Sequence, residues 1–289
     1  MKSVKEIRSE ANMLYTKSSH YIVATFIVVG VIMAFASSLM SVLGVQFNLP
    51  LLFLAAVLFE PVQYGTIKAS LLAYNRQARQ VTTAKFSLLG FRHYFKIFLP
   101  FVGRSVFIYA IEALLIVGFC LIASQADHLM MFLEAVLGGQ FDLLLSDGHL
   151  IVNAAAIVMI VITVVVGFVL ESYLALSNYF AVDHEVGLIR SMRMSFRSMR
   201  GFFWDYIWLR ITYLPYALAT AIIAGVVSRA FTTMFQQLIS MMPGVPILFF
   251  NILLVAIVAF INTLVSVMIY RVKEDLAITV FYKELDVLE

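Results

Sequence analysis

Long runs of apolar residues, separated by short polar stretches, dominate the pattern along this chain. A helix needs roughly 20 apolar residues to cross the hydrocarbon core of a bilayer. Six segments are long enough, and they lie near residues 20–46, 49–75, 97–124, 150–181, 203–228 and 245–271. The pattern predicts an all-α, polytopic membrane helix bundle with about six transmembrane helices, which forms one domain over residues 1–289.

The predicted second span, residues 49–75, is the least regular of the six. Glu60 and Pro61 stand side by side in it, and Lys68 follows two turns later. A proline in a spanning helix removes a backbone donor and usually kinks the helix. We therefore expect a kink in this span.

The residues between the spans alternate in charge. Basic residues are concentrated before residue 20, in 76–96, in 190–200 and in the tail 272–289, whereas the intervening loops contain Arg229 and several acids. Because Lys and Arg are enriched in cytoplasmic loops, this alternation predicts that both termini lie in the cytoplasm. The first apolar run follows a polar stretch and is too long for a signal peptide, so no cleavage is expected.

Three segments outside the spans have the pattern of amphipathic interfacial helices. The first is the cytoplasmic segment 1–19, where Ser3 and Glu6 fit a capping box. The second is 189–203, in which a stripe of arginines adjoins an apolar stripe, and the third lies in the cytoplasmic tail, at 274–285. The arginines of the second segment are candidates for contact with anionic lipid, or serve only as a positive anchor, and they are Arg190, Arg193, Arg197 and Arg200.

The non-cytoplasmic loops are themselves apolar, at 129–137, 141–145 and 234–242. Such loops either dip into the outer leaflet or cover a partner. The partners predicted from the sequence are membrane lipids and another membrane protein. Nucleic acid is not expected, since membrane anchoring already explains the basic residues.

The composition agrees with a membrane protein. Hydrophobic residues make up 62% and charged residues 13%, with a mean hydropathy of +0.96, whereas soluble domains are about half apolar and a quarter charged. The single cysteine, Cys120, excludes an internal disulfide and a multi-cysteine metal site.

Ionisable residues inside the predicted spans are the sharpest candidate site, because each is costly to insert into lipid. One interpretation is a cavity open to the cytoplasm, with a positive rim and carboxylates deeper, for an anionic lipid headgroup or a proton-coupled solute. The alternative is that the charges pair with one another or extend to the headgroups, and so fix helix packing without a ligand. The candidates are Glu60, Lys68, Arg104, Glu112, Glu171, Asp205 and Arg210.

The order of features also indicates a parallel internal repeat of two helix pairs. Spans two and three, with the basic loop between them, correspond to spans four and five with theirs. Each first helix has a carboxylate, Glu60 or Glu171, and each second helix has an arginine, Arg104 or Arg210.

Motifs for catalysis, metal binding and cofactor binding are absent from the sequence. The five histidines are not at metal-ligand spacing, and there is no H-E-x-x-H, G-x-S-x-G or phosphate-binding glycine loop. The sequence therefore predicts no catalytic, cofactor-binding or metal site, and it leans against an enzyme without excluding one.

Scattered motifs resemble an uncharacterised bacterial membrane family called domain of unknown function 975. They include 4–8, Glu60-Pro61 through Gly65, 179–183, Met199-Arg200-Gly201 before Trp204, and the ending 281–285. The family usually has an aspartate where Arg210 stands. The resemblance implies a six-span protein of a bacterial cytoplasmic membrane, and no activity comes with it.

Three functions are consistent with these features. The first is a non-enzymatic accessory, scaffold or envelope-maintenance protein, for which the apolar loops and basic helix would provide binding surface. The second is a small transporter or lipid-binding carrier that uses the intramembrane charges. The third, an intramembrane lipid-modifying enzyme, lacks a visible nucleophile and base.

Overall fold

A computed structural model of the chain describes residues 1–47, 59–122, 150–241 and 247–286. These residues form helices joined by short turns, with no strand among them. The helices are α1 (Val4–Phe47), α2 (Tyr64–Tyr74), α3 (Thr83–Ser87), α4 (Leu89–Arg92), α5 (Tyr94–Ile122), α6 (Leu150–Tyr173), α7 (Ser177–Asp183), α8 (Leu188–Met199), α9 (Phe203–Met241), α10 (Ile247–Ser266) and α11 (Val272–Asp286). The predicted all-α bundle is confirmed.

Five helical stretches in the described part of the chain are long and apolar enough to cross a membrane. They are Val4–Ala36, Tyr94–Gly118, Val161–Asp183, Phe203–Met234 and Ala256–Asp286. Residues 49–58 of the predicted second span lie outside the described residues. Its remainder begins with a 3₁₀ turn, Glu60–Gln63, which agrees with the expected irregularity at Pro61.

The N-terminal segment and the first span form one helix, α1, rather than an interfacial helix followed by a span. The capping box is confirmed, because the backbone N–H of Ser3 donates to Glu6 Oε2 over 2.7 Å and the N–H of Glu6 donates to Ser3 Oγ over 3.4 Å. At a rise of 1.5 Å per residue, α1 is about 66 Å long, roughly twice the thickness of the hydrocarbon core. Its first half therefore extends well beyond a bilayer.

The C-terminal tail is also different from the prediction. A π turn, Val267–Arg271, joins α10 to α11 without a break in the helical chain. Leu276, Val280 and Phe281 of α11 are fully buried. The tail is thus a core helix and not an interfacial one, because apolar residues cover more of its circumference than one lipid-facing stripe.

The main hydrophobic core lies at one end of the bundle, which we call the basic end. There α11 packs against α1, α2 and the first turns of α9, and α7 packs against α2. Ile7, Ala11, Leu71 and Phe180 have at most 2% exposure in this cluster. The apolar stripe that the sequence assigned to lipid in 1–19 is therefore buried within the protein.

Away from the basic end, large apolar side chains point outward. Examples on α5, α6 and α9 are Leu114, Val164, Phe168, Leu218 and Ile222, all more than half exposed. Exposed apolar bands on long helices are the expected surface of a protein whose solvent is lipid.

Two predicted spans have different limits in the structure. The fourth breaks at a turn over 174–176, so that α7 follows α6 as a separate short helix. The fifth continues as α9 to Met241, and most of the predicted apolar loop 234–242 is therefore helix. On α9, Trp204 and Trp208 are exposed, whereas Tyr206, on the opposite face, is buried.

The two predicted repeat units have the same order of elements. In each unit a helical segment is irregular near its glutamate, and a short helix, α2 or α7, follows. Two residues after that helix comes a non-glycine residue with positive φ, Arg76 at 59° or Glu185 at 53°. Interfacial helices then lead into the long helix that contains Arg104 or Arg210. This order is what a parallel repeat would produce.

Candidate functional site

A polar cavity of about 380 Å³ lies among the helices where the basic end meets the part with exposed apolar bands. Its apolar wall comes mainly from α1, including Phe26, Val29 and Gly30, and from Ile67 and Ile278. Its polar wall comes from α5, α6, α7, α9, the π turn and the first residues of α11. A cavity of this size is in the range of small-molecule sites.

The charged residues of the cavity balance formally. Three arginines and three carboxylates line it, so their charges of +3 and −3 sum to zero. These residues are Arg104, Arg210, Arg271, Glu171, Glu274 and Asp275. The lining is therefore not an anion trap of uniform sign.

Arg104 is the most deeply buried of the three arginines. Its Nη1 lies 3.4 Å from Glu60 Oε1, and the exposed fractions of the two side chains are 14% and 11%. Ser105 also donates a hydrogen bond to Glu60, through its hydroxyl. Arg104 Nε is buried without a hydrogen-bond partner among the described residues, which leaves a donor beside the cavity.

Arg210 and Glu171 are, with Arg271, the exposed charged residues of the lining. Arg210 Nε lies 3.2 Å from Glu274 Oε1, and its Nη1 donates to the hydroxyl of Tyr206 over 3.2 Å. The side chain of Arg210 is half exposed and Glu171 is exposed. These two residues, on α9 and α6, mark the mouth of the cavity.

Three further lining residues have unused polar groups. Within the described chain, neither Asp275 nor Arg271 has an ion-pair partner within 4 Å, although they are one helical turn apart. Asn178 is 4% exposed, and its Oδ1 is buried without a partner among those residues. Buried polar atoms are normally hydrogen-bonded, so Asn178 Oδ1 has capacity for a ligand or water, and the charges of Asp275 and of the exposed Arg271 are open to an ion pair.

The structure brings together four of the seven predicted intramembrane residues. Arg104, Glu171 and Arg210 line the cavity, and Glu60 forms an ion pair with Arg104 without lining the cavity itself. The remaining three do not line it. Lys68 is half buried on another face of α2, Glu112 lies against Gly167 of α6, and Asp205 is exposed on α9.

The expected distribution of charge, a positive rim above deeper carboxylates, is found only in part, in the exposed Arg210 and the buried Glu60. Arg104 is deep and Glu171 is at the mouth, so both signs occur at both depths. Sequence reasoning also missed Asn178, Arg271, Glu274 and Asp275. A signal for the last three was present, since they follow the sixth apolar run on one helical face at spacings of three and four.

The arginine stripe of α8 lies outside this cavity. Arg190, Arg193, Arg197 and Arg200 are all exposed, and so are the adjoining Ile189 and Phe196. The opposite face holds buried serines, of which Ser195 donates to the carbonyl of Tyr173 over 2.8 Å. A groove of about 890 Å³ runs between the arginines and Leu285.

Ion pairs join the segments of the basic end. Lys283 Nζ lies 2.5 Å from Asp183 Oδ2 and 3.1 Å from Asp286 Oδ2, and His184 Nε2 lies 2.7 Å from Asp286 Oδ1. Asp183, His184 and Asp286 have the spacing of metal ligands, but both aspartates already form ion pairs with Lys283. We regard this cluster as the link between α7 and α11.

Three further ion pairs, formed by Lys2 and Lys96, lie at the same end. Lys2 Nζ is 2.9 Å from Glu10 and 2.6 Å from Glu284, and its hydrogen bonds to these two carboxylates raise the pKa of Lys2. Lys96 donates to Glu185 over 2.7 Å, and that hydrogen bond lowers the pKa of Glu185. The contact of Lys2 with Glu284 joins the two terminal helices, and that of Lys96 with Glu185 joins the two repeat units.

The fold and the cavity define the class of the protein as a multi-pass, all-α membrane helix bundle with a polar cavity among its helices. No family model, curated protein or solved structure matches the chain. The resemblance to domain of unknown function 975 stays a prediction, and the case for a function depends on the cavity.

Proposed function

We propose that the protein is a membrane carrier or lipid-binding protein that holds a small polar ligand, either a solute or a lipid headgroup, in the cavity beside Arg104. The observation that carries this proposal is the cavity itself, because charges that served only helix packing would pair in a dry core. Here Arg104 Nε and Asn178 Oδ1 are buried without a hydrogen-bond partner among the described residues, and Asp275 has no ion pair there, around a space of ligand size.

The cost of these charges supports the same proposal. An ionisable side chain inside the bilayer costs several kcal/mol on insertion scales, so intramembrane charges are usually functional. The pair between Glu60 and Arg104 offsets part of that cost for two residues. Glu171, Arg271 and Asp275 have no such partner within the described chain, and a bound polar ligand would offset theirs.

The proposal places the protein in a bacterial cytoplasmic membrane, with the basic end and both termini in the cytoplasm. Basic residues at 76–96 and 190–200 support this orientation. The cavity would then open at the cytoplasmic side, through the mouth formed by Glu171 and Arg210. Membrane lipids would surround the exposed apolar bands of α5, α6 and α9.

Ligand binding tests the proposal directly. The purified protein in detergent or lipid nanodiscs is analysed by native mass spectrometry for co-purified lipid, and by thermal unfolding with small phosphates, carboxylates and amines. A ligand at one hundred times its Kd should stabilise the folded protein by about 2.7 kcal/mol. The double variant Glu60→Gln/Arg104→Gln should lose this stabilisation.

The matched control is Asp205→Asn, which changes an exposed charge outside the cavity and should bind as the original chain does. If no lipid co-purifies above its bulk fraction and no small molecule shifts unfolding, the proposed function is wrong. The accessory role remains a prediction, since its loops at 129–137 and 141–145 lie outside the described residues.

A further inference from the structure

We propose that the ligand of this cavity is a zwitterion, a small molecule or lipid headgroup with both an ammonium group and an anionic phosphate or carboxylate. This inference deepens the proposed function and rests on it. It concerns only the chemical class that the cavity selects.

The balanced lining is the first argument. A purely anionic ligand would be attracted by three arginines but repelled by Glu171, Glu274 and Asp275. A purely cationic ligand would be attracted by these carboxylates but repelled by the arginines. Because Coulomb energies are large in a site of low dielectric, each unpaired ligand charge needs an opposite charge close to it. A molecule with one group of each sign matches a lining with both signs.

The second argument is that the positively charged group and the negatively charged group available to a ligand lie on different walls of the cavity. Arg104 lies on α5, which packs against α6, α7 and α8, whereas Asp275 lies on α11, which packs against α1, α2 and α9. One wall therefore has an unpartnered cationic donor, Arg104 Nε, and another has the carboxylate of Asp275, which forms no ion pair with the described residues.

These groups match the two ends of a zwitterion in hydrogen-bonding chemistry. An anionic oxygen of the ligand accepts from Arg104 Nε, whose Nη1 is already engaged by Glu60. The ammonium group has three donors and no acceptor. It would donate to Asp275, while Glu274 stays paired with Arg210. No covalent step is involved.

The same chemistry occurs in free zwitterions and in aminophospholipid headgroups, so the test includes both. Two matched pairs of solutes isolate the ammonium group: O-phosphoethanolamine against ethyl phosphate, and β-alanine against propionate. Ethanolamine provides the cation alone. For the lipid arm, the protein with Arg190, Arg193, Arg197 and Arg200 replaced by glutamine, which removes the exposed cations outside the cavity, is placed in nanodiscs that contain equal amounts of phosphatidylethanolamine and phosphatidylglycerol. The retained lipid is identified by native mass spectrometry.

We expect a zwitterion to bind at least about tenfold more tightly than its matched anion and than ethanolamine, because each single-charge ligand leaves one wall unpaired. Asp275→Asn should reduce this preference to about twofold or less, since the ammonium loses its charged acceptor. Glu60→Gln/Arg104→Gln, which removes the buried pair together, should weaken binding of the zwitterion and of the matched anion alike. Asp205→Asn is the control for both.

The outcomes separate the two proposals. A preference for a free zwitterion supports the inference with a solute as ligand, and enrichment of phosphatidylethanolamine alone supports it with a headgroup as ligand. If ethyl phosphate, propionate, phosphatidylglycerol or ethanolamine binds as well as its zwitterionic counterpart, the inference is overturned while the proposed function stands. If nothing binds and no lipid is retained, both fail. A preference that survives Asp275→Asn overturns the assignment of the ammonium site.

Discussion

At the scale of single residues, the pair between Arg104 and Glu60 carries the largest electrostatic consequence. Both side chains are almost buried, and Ser105 completes the coordination of the carboxylate. Two desolvated charges are tolerated together because each satisfies the other. Removing one partner leaves an uncompensated charge, which costs far more than removing both.

Arg104→Gln should therefore destabilise the protein by roughly 3–5 kcal/mol, because Glu60 is left buried without its cation. The double variant Glu60→Gln/Arg104→Gln should recover most of that loss. Chemical unfolding in mixed micelles, followed by circular dichroism, measures both values. Equal losses in the single and double variants would show that the pair contributes through packing rather than charge.

The sequence predicted part of this site for a physical reason. Arg104, Glu171 and Arg210 interrupt apolar runs, and such interruptions are visible without a structure. Asp205 and Glu112 interrupt such runs equally but face elsewhere. A helix that is apolar around most of its circumference gives no periodic signal for which face is inward. The direction of each charge therefore required the structure.

At the scale of elements, two glycines allow close packing in the first repeat unit. Gly90 lies where α4 meets the 3₁₀ turn, and Gly65 lies where α2 meets α3. A Cβ on Gly90 of α4 would lie 2.6 Å from the carbonyl oxygen of Pro61 and 2.6 Å from Val62 Cα. A Cβ on Gly65 would overlap with the carbonyl of Phe86. Because the obstructing atoms are backbone, they cannot move aside by a change of rotamer.

Gly90→Ala should cost about 1–3 kcal/mol of stability, since the added methyl forces α4 away from the turn. The turn holds Glu60, so ligand binding should weaken as well. Gly201→Ala is the matched control, because a Cβ there meets nothing within 4 Å. Thermal unfolding and ligand titration of the two variants measure the difference, and equal behaviour of both would contradict the close packing.

The helix α8 has the surface expected of a helix in the headgroup plane. Its four arginines and the adjoining Ile189 and Phe196 are exposed together, and its serine face is turned to the protein. Cations near an anionic surface contribute about 1 kcal/mol each, and this attraction is screened by salt.

Replacing the four arginines of α8 by glutamine should reduce the enrichment of phosphatidylglycerol around the protein to near its bulk fraction. Replacing them by lysine should preserve most of the enrichment, because charge rather than geometry provides the attraction. Lipid analysis of nanodiscs at low and high salt measures both. If the glutamine variant enriches phosphatidylglycerol as the original chain does, the arginines do not bind anionic lipid and α8 serves only in packing.

Element boundaries were the least predictable feature of the fold. The polar face of 1–19 and the charges of 272–289 resemble interfacial segments, yet α1 is one helix and α11 is buried. Both segments are amphipathic, and amphipathicity indicates only that one face leaves water. Whether that face meets lipid or another helix depends on the partner, which is distant in sequence.

At the scale of the whole molecule, the protein has two parts with opposite surfaces. The basic end has a conventional buried core around α11, and it is closed by ion pairs such as Lys2 with Glu284. The remaining parts of α5, α6 and α9 expose apolar side chains. The cavity lies where these parts meet, so a ligand held there would be reached from the membrane surface.

This arrangement predicts the topology of the protein in the membrane. Ser9 and Arg200 lie at the basic end, whereas Thr233 lies 30 residues beyond the start of α9 at Phe203, a distance of about 45 Å along the helix. The hydrocarbon core is about 30 Å thick, so Thr233 must emerge on the opposite side. All three residues are exposed.

Single cysteines at these positions, Ser9→Cys, Arg200→Cys and Thr233→Cys in a Cys120→Ser background, should react differently with a membrane-impermeant maleimide. In intact cells only the cysteine at 233 should be labelled if the basic end lies in the cytoplasm, as the distribution of positive residues predicts. After permeabilisation all three should react, which controls for accessibility. Labelling at 9 and 200 but not 233 in intact cells would reverse the orientation. The contact between Lys2 and Glu284 and the packing of α8 place residues 9 and 200 at the same end of the molecule. Labelling at 9 without labelling at 200 would contradict this arrangement.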